Sequence, residues 1–180
     1  MRARSGHWSV RRFRSTITGM EAIGSARVAS RLLLAQAFVA AAMTGVIWQV
    51  QLVTYPQFLR VGAAEFPAYH AAHTSGIGAL VAPLMLAELG LSLAALWLCR
   101  HGPLRSPMWV GAALVLALWA TTWRWQVPLH ARLERAWSEP VIRELIAGNW
   151  LRTLLWTARA ALLFGLLERL IPHDCGSRRP

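Results

Sequence analysis

Four stretches of this chain are each long and apolar enough to cross the hydrocarbon core of a membrane, which takes about 20 residues of helix. They lie at about residues 32–54, 76–99, 108–129 and 150–171. A soluble helix of this length shows a continuous polar face along one side, whereas these stretches contain only isolated polar residues. The pattern therefore predicts an all-α fold, an integral membrane four-helix bundle.

The distribution of charge decides between two explanations of the net charge of +11. A nucleic-acid-binding protein carries its basic residues along polar helices or loops, whereas a membrane protein confines them to the ends of its spans, mostly on one side. Here every basic residue is Arg, and the arginines outside the spans crowd into residues 1–31, the loop between the second and third spans, and the C-terminal end. We therefore expect the chain to bind a lipid bilayer and no nucleic acid.

The same arginines predict the orientation of the bundle. Twelve of them lie on the side of the two termini, and four lie in the first and third loops on the opposite side. Because an excess of Arg marks the cytoplasmic side, we expect a multi-pass protein of the cell membrane, such as a bacterial inner membrane, with both termini cytoplasmic. Residues 1–31 are then a basic, disordered leader, residues 32–171 the transmembrane domain, and residues 172–180 a cytoplasmic tail.

The two loops on the outer side, residues 57–75 and 130–149, mix apolar and charged residues. In the second of them Leu133, Trp137 and Ile142 recur at roughly helical spacing. Segments of this kind tend to lie in the membrane interface with their apolar side toward lipid or bundle. We expect two interfacial outer segments that roof the bundle.

The predicted topology gathers polar side chains from all four spans at the outer end. They are Gln49, Gln51, Tyr55, His70, His73, Arg124, Gln126, His130, Asn149 and Arg152. Turning so many hydrogen-bonding groups toward lipid is unfavourable. We therefore predict that His70, His73, His130, Asn149 and Arg152 line one pocket.

Three of these residues are candidate metal ligands. His70 and His73 are three residues apart and so share a helix face, and His130 would lie nearby. Three imidazole nitrogens are enough to bind Fe, Cu or Zn. However, an HxxH spacing is common, and an interfacial His is more often a simple hydrogen-bonding group. Both alternatives stay open: no cofactor, or a metal or haem bound by these histidines.

Two charged residues lie deep inside their spans. At 1.5 Å per residue, Glu88 is about 18 Å below the start of the second span, and Arg159 is about 14 Å below the start of the fourth. An unpaired charge at that depth costs about 2.5–3.5 kcal/mol even on the mildest scale. We therefore expect a structural ion pair of Glu88 with Arg159 or with Arg124.

The last third of the chain resembles a known family. The run VPLH at residues 127–130, followed by NWLRT at residues 149–153, is similar to a pattern in the anthrone-oxygenase-like family of small four-helix membrane proteins. The pattern of that family has Asn where this chain has Gln126 and His130, and many members have His where this chain has Asn149. The resemblance implies a four-helix membrane fold and, from some members, oxidation of an anthrone to an anthraquinone.

Two functions remain as alternatives. In the first, the protein is an oxygenase-like oxidoreductase that oxidises a small lipophilic aromatic substrate arriving from the membrane. Its catalytic residues would be His70, His73, His130, Asn149 and Arg152. A histidine would act as general base or metal ligand, because an imidazole pKa lies near the working pH, and Arg152 or Arg124 would stabilise an oxyanion. Gln49, Tyr55 and Arg124 would bind the substrate.

In the second, the protein is a non-catalytic ligand-binding or accessory subunit of a membrane complex, and the same polar residues hold a ligand or the bundle. Gly- and Ala-rich helix faces, such as those around Gly76 and Gly165, allow close contacts between helices. They permit a homo-oligomer under either alternative.

Overall fold

A computed structural model describes the backbone of residues 7–170 and the side chains of residues 27–170. The described chain is helical with short turns and has no β-strand. The helices are α1 (His7–Gln49), α2 (Tyr55–Phe58), α3 (Phe66–Leu98), α4 (Arg105–Thr121), α5 (Val127–Leu133) and α6 (Glu139–Glu168). A π-helical turn at Val50–Thr54 joins α1 to α2, and another at Thr122–Gln126 joins α4 to α5.

These elements form four rods that are long and apolar enough to cross a membrane: Arg27–Phe58, Phe66–Leu98, Arg105–Leu133 and Glu139–Glu168. α1 packs against α3 and α6, and α4 also packs against both, so α1 and α4 stand on opposite sides of the bundle. The predicted all-α four-helix bundle is confirmed.

The surface of the bundle carries large apolar side chains on all four rods. Phe38 is 74% exposed and Trp97 is 70% exposed, and Leu116 and Trp123 are similarly open. A soluble protein rarely exposes so much contiguous apolar surface. The four helices are therefore those of a multi-pass membrane protein.

At the end that the sequence predicts to be outer, the helices continue past the predicted spans. α3 begins at Phe66 rather than near Gly76, and α6 begins at Glu139 rather than near Trp150. Each has Pro in its first turn, where the fixed backbone angle of proline favours helix initiation. We call the end of the bundle at which α3 and α6 begin the histidine end.

The apolar residues of the two outer segments enter the core at the histidine end. Leu133, Ile142 and Leu145 are fully buried against Phe58 and Phe66. The indole nitrogen of Trp137 donates a hydrogen bond of 3.1 Å to the carbonyl of Phe58. The outer segments thus close this end of the bundle through their own buried side chains.

α1 extends back to His7 and so enters the segment that the sequence predicts as a disordered leader; the leader itself stays a prediction. No proline precedes Pro56, and Arg and Ala, which favour helix, are frequent in this stretch. A helix that is already nucleated in the first span can therefore propagate backward at little cost. Residues 1–6 and the predicted tail at 172–180 lie outside the described residues.

Candidate functional site

Two π-helical turns set the direction of the side chains at the histidine end. In the first, the backbone N–H of Tyr55 bonds to the carbonyl of Val50, one residue farther back than in an α-helix. The wider turn changes the angle between successive side chains, and such turns are frequent at functional sites. Gln51 and Gln126, one in each turn, are both buried in the bundle.

Tyr55, His130 and His70 form a continuous hydrogen-bonded chain. The hydroxyl oxygen of Tyr55 lies 3.0 Å from Nε2 of His130, and Nδ1 of His130 lies 2.9 Å from Nε2 of His70. The Tyr55 hydroxyl can instead donate to Oε1 of Gln126 at 3.4 Å. The two imidazole rings are stacked, with their centroids 5.1 Å apart.

The hydrogen bonds that join Tyr55, His130 and His70 can run in either direction. In the first direction, Tyr55 donates to His130, and His130 donates through Nδ1 to Nε2 of His70. In the second direction, His70 donates to His130, His130 donates to the tyrosine oxygen, and Tyr55 donates to Gln126. Both directions use neutral imidazoles, which carry one donor and one acceptor each. When Tyr55 donates to His130, a proton taken up by the Tyr55 oxygen can pass to Nε2 of His130. The positive charge then rests on the histidine pair, because Nδ1 of His70 has no hydrogen-bond partner among the described residues.

Arg152 is held by a second series of hydrogen bonds. Its Nη1 donates to Oδ1 of Asn149 at 3.0 Å, and Nδ2 of Asn149 donates to Oε1 of Gln51 at 2.8 Å. Gln51 in turn donates to the carbonyl of Ile146 at 3.3 Å. The guanidinium also interacts with the hydroxyl of Tyr55, which connects the two series.

Arg152 is only 6% exposed, and it forms no salt bridge with any residue that the structure describes. Its Nε has no hydrogen-bond partner among the side chains and backbone groups of the described residues. A buried charge is usually paired with an opposite charge, because its desolvation is costly. Arg152 is thus a buried cation with an unsatisfied hydrogen-bond donor.

A cavity of about 480 Å³ lies beside Arg152, within the size range of small-molecule sites. Its wall is mostly apolar and comes from all four rods. The apolar part includes Val46, Ile47, Val50, Ile77, Val81 and Val127. The polar part consists of Tyr55, Gln126, His130 and Arg152, with Thr74, Thr122 and Glu134. We call Tyr55, His70, His130, Gln51, Asn149 and Arg152 the cavity cluster.

The structure brings together five of the residues that the sequence singled out, but in two layers. Tyr55, His130 and Arg152 line the cavity. His70 and Asn149 are fully buried behind them, and each is hydrogen-bonded to a lining residue. The first three can touch a ligand, and the other two can only orient the first three.

His73 lies at the edge of the cavity cluster. Its ring is stacked 6.2 Å from that of His130 and packs edge-on against Phe58 at 5.0 Å. It does not line the cavity, and its buried Nε2 has no hydrogen-bond partner among the described residues. The predicted pocket therefore contains His130 and Arg152 but not His73.

Gln49 and Arg124, two of the predicted substrate-binding residues, are not brought to the site. Both are exposed on the surface of the bundle, and Gln49 accepts a hydrogen bond of 3.1 Å from Thr54. Gln49 follows the buried Ile47 by two residues, and Arg124 precedes the buried Gln126 by two, so each lies about 200° around its helix from a buried position. Arg124 forms no salt bridge with Glu88 or with any other described residue.

In the part of the chain that the structure describes, no group of three or more His, Cys, Asp or Glu side chains is placed to hold a metal ion. The facing nitrogens of His70 and His130 are bonded to each other. The geometry therefore gives the predicted metal or haem ligation no support.

A separate polar cluster lies deeper in the bundle. Nη2 of Arg159 is 3.0 Å from Oε2 of Glu88 and also donates to Oε1 of Gln36 at 2.6 Å and to Oγ of Ser92 at 3.0 Å. All four side chains are buried. This is the first of the two pairings that the mid-span charges suggested. We call these four residues the Glu88 cluster.

Sequence reasoning gave no role to Gln36 or Ser92. Ser92 is four residues after Glu88 and so lies on the same helix face, a spacing that would have identified it. Gln36 is an isolated polar residue in an apolar stretch, and only the packing of α1 beside α6 shows which group it meets.

Comparison of this chain with protein-family models, with curated protein sequences and with solved structures finds no match. The resemblance of residues 127–153 to the anthrone-oxygenase-like family stays a prediction.

Proposed function

We propose that this multi-pass membrane protein binds a small lipophilic, aromatic molecule that carries an acidic oxygen, in the cavity at the histidine end. The observation that carries the proposal is the position of Arg152. This arginine is a buried cation in the wall of a mostly apolar cavity, and it lacks a carboxylate partner among the described residues.

A ligand of this class would supply what Arg152 lacks. Asn149 accepts one of its hydrogen bonds, which leaves further N–H groups for a ligand. Charge-assisted hydrogen bonds to an oxygen anion are roughly twice as strong as neutral ones. The Val and Ile side chains of the wall would hold the aromatic body, because burial of apolar surface is favourable.

The chemistry supported by this arrangement is removal of a proton from the bound molecule. His130 would accept the proton through the hydroxyl of Tyr55, and His70 would hold the ring of His130 in position. Arg152 would stabilise the oxyanion that results, and preorganised stabilisation of this kind is often the largest contribution to catalysis.

The family resemblance suggests that an oxidation follows. With an anthrone and dioxygen, the methylene carbon would lose both of its hydrogens and gain one oxygen atom as a carbonyl. The second oxygen atom would leave as water, so that dioxygen is the oxidant and the products are an anthraquinone and water. Deprotonation makes the carbon electron-rich enough to react with dioxygen.

A non-catalytic ligand-binding or accessory subunit is the second candidate. It is favoured by the fact that Gln51, Asn149 and Arg152 satisfy one another in series without a ligand. Consumption of dioxygen by purified protein with anthrone as test substrate separates the two: catalysed turnover supports the enzyme, and binding without turnover supports the subunit.

Binding itself is tested with 1-naphthol and naphthalene, which share a ring system and differ in one oxygen. Tritiated forms are measured by scintillation proximity on immobilised protein in detergent. We expect the wild type to prefer 1-naphthol, and the Arg152→Gln variant to lose that preference. Arg132→Gln, at an exposed arginine, is the control and should keep it. An undiminished preference in Arg152→Gln would contradict the proposal.

The proposed location is the cell membrane, with the histidine end outward and both termini in the cytoplasm, as the count of arginines supports. Reporter fusions after Pro180 and within residues 59–65 should report opposite compartments. The same compartment for both fusions would overturn this orientation.

A further inference from the structure

The residues around the cavity differ systematically in exposure. Those near its polar wall, such as Val50, Gln126 and Arg152, are buried. Those on the opposite side are exposed: Gly78 on α3, Val127 (42% exposed) and Ala131 on α5, and Glu134 just after the end of α5. The cavity therefore opens to the surface of the bundle between α3 and α5.

This mouth is wide on the side of α3. A Cβ atom added at Gly78 would meet no atom within 4 Å, so the backbone of α3 leaves free space there. The residue is glycine at a position where any larger side chain would stand in the opening. α5, for its part, contributes the small side chain of Ala131 to the same wall.

The surface beside the mouth is apolar. On the rod that ends in α5, Trp123 is exposed, and so is Val127 at the mouth itself. On a helix long and apolar enough to cross a membrane, such a surface faces acyl chains and not water. Tyr55, Gln126 and Arg152 are buried at the inner end of the cavity, and the exposed Glu134 lies at its rim.

We infer that the ligand enters from the bilayer through the gap between α3 and α5, with its oxygen first. At the end opposite the oxygen the ligand carries an apolar tail, and this tail passes Gly78 and remains in the lipid. This inference rests on the proposed ligand-binding function. It makes the ligand a membrane-dissolved phenol-type lipid, and it makes Gly78 the residue that determines how long a tail is accepted.

The test compares two phenols of different tail length, 4-ethylphenol and 4-octylphenol, as competitors of tritiated 1-naphthol. The variant is Gly78→Leu. The matched control is Gly90→Leu, because Gly90 is also exposed on α3 with no atom within 4 Å of an added Cβ but lies outside the cavity wall. Both substitutions replace Gly by Leu within one helix, so they change helix propensity alike.

We expect Gly78→Leu to weaken binding of 4-octylphenol about tenfold, a change of about 1.4 kcal/mol, and to leave 4-ethylphenol unchanged within about twofold. Gly90→Leu should change neither. Partitioning of each phenol into detergent is the same for all variants, so it cancels in the comparison. Equal losses for both phenols, or an equal loss in Gly90→Leu, would overturn the inference.

A second measurement needs no ligand. A spin label is placed at position 78 in protein whose two cysteines, Cys99 and Cys175, are replaced by Ser, and the protein is reconstituted in lipid vesicles. Collisions with dioxygen should exceed collisions with a water-soluble nickel complex, because the mouth faces acyl chains. Dominant nickel collisions would mean an aqueous mouth and would end the inference even if 1-naphthol binds. Failure of the wild type to bind 1-naphthol, in contrast, would remove the proposed function and the inference together.

Discussion

Two buried arginines on the same face of α6 have opposite surroundings. Arg152 and Arg159 are seven residues apart, which puts them on one side of the helix, and both side chains are almost fully buried. Arg159 meets a carboxylate, an amide and a hydroxyl. Arg152 meets one amide of the bundle, the neutral hydroxyl of Tyr55 and a cavity, but no carboxylate among the described residues. Neighbouring side chains satisfy the donors of Arg159, so this arginine stabilises the packing of the bundle. The donors of Arg152 are only partly satisfied, so this arginine remains available to a ligand.

An apolar layer separates the two arginines. Trp156, which lies between them on α6, is fully buried with Met43, Met85 and Leu118. No polar residue of this layer connects the Glu88 cluster to the cavity cluster through the described hydrogen bonds. A substitution at one arginine should therefore leave the surroundings of the other largely unaffected, so that each arginine can be tested separately.

The largest effect on stability is expected for Arg159→Gln. The substitution leaves the Glu88 carboxylate without its cation in the middle of a span, where an unpaired charge costs about 2.5–3.5 kcal/mol. Thermal unfolding in detergent should show a midpoint lower by several degrees, and Glu88→Ala should lower it similarly. A neutral result for both variants would mean that the Glu88 cluster is not the structural lock described here.

A smaller loss is expected for Gly111→Ala, because Gly111 provides the space that Arg159 occupies. An added Cβ would overlap Nη1 of Arg159, whose Nη2 and Nε are bonded to neighbouring residues. Overpacking of this kind costs about 1–3 kcal/mol. Gly165→Ala is the control, since no atom lies within 4 Å of a Cβ there. Equal midpoints for the two variants would show that Arg159 can move freely.

The fold was predictable because the signal for a membrane span is local: about 20 apolar residues suffice to identify it. The cost of an unpaired charge in the membrane limited the candidate partners of Glu88 to two arginines, Arg159 and Arg124. The choice between them depends on which helix face each arginine occupies: Arg159 is buried beside Glu88, and Arg124 is exposed.

The candidate site was predictable in part. Tyr55, His130 and Arg152 are unusual polar residues near span ends, and their depth alone brings them together. Gln51 is buried and Gln49 is exposed, a difference that helical spacing from the buried Ile47 indicates, because residues four apart share a helix face and residues two apart do not. The cavity itself arises from the separation of α3 and α5, a tertiary property that residue spacing does not encode.

Tyr55→Phe should have a modest effect, because it removes one hydroxyl and keeps the ring against Phe58. Loss of its hydrogen bonds to His130 and Gln126 is expected to lower the free energy of unfolding by about 0.5–1.5 kcal/mol. Tyr69→Phe, at a partly exposed tyrosine, is the control and should be silent. Preference for 1-naphthol over naphthalene should decrease in Tyr55→Phe if the hydroxyl contacts the ligand, and an unchanged preference would limit Tyr55 to a packing role.

The smallest effect on stability is expected for Arg152→Gln, measured without ligand. Two contributions oppose each other: the charge-assisted hydrogen bond to Asn149 is lost, and the cost of burying an unpaired guanidinium is removed. We expect a net change in the free energy of unfolding below about 1 kcal/mol, since residues kept for binding are seldom optimal for stability. The comparison with Arg159→Gln under the same conditions is the decisive one, because the two substitutions are chemically identical and lie on one helix face. If both variants unfold at equally lowered temperatures, Arg152 is as structural as Arg159, and the cavity loses the group on which ligand recognition depends.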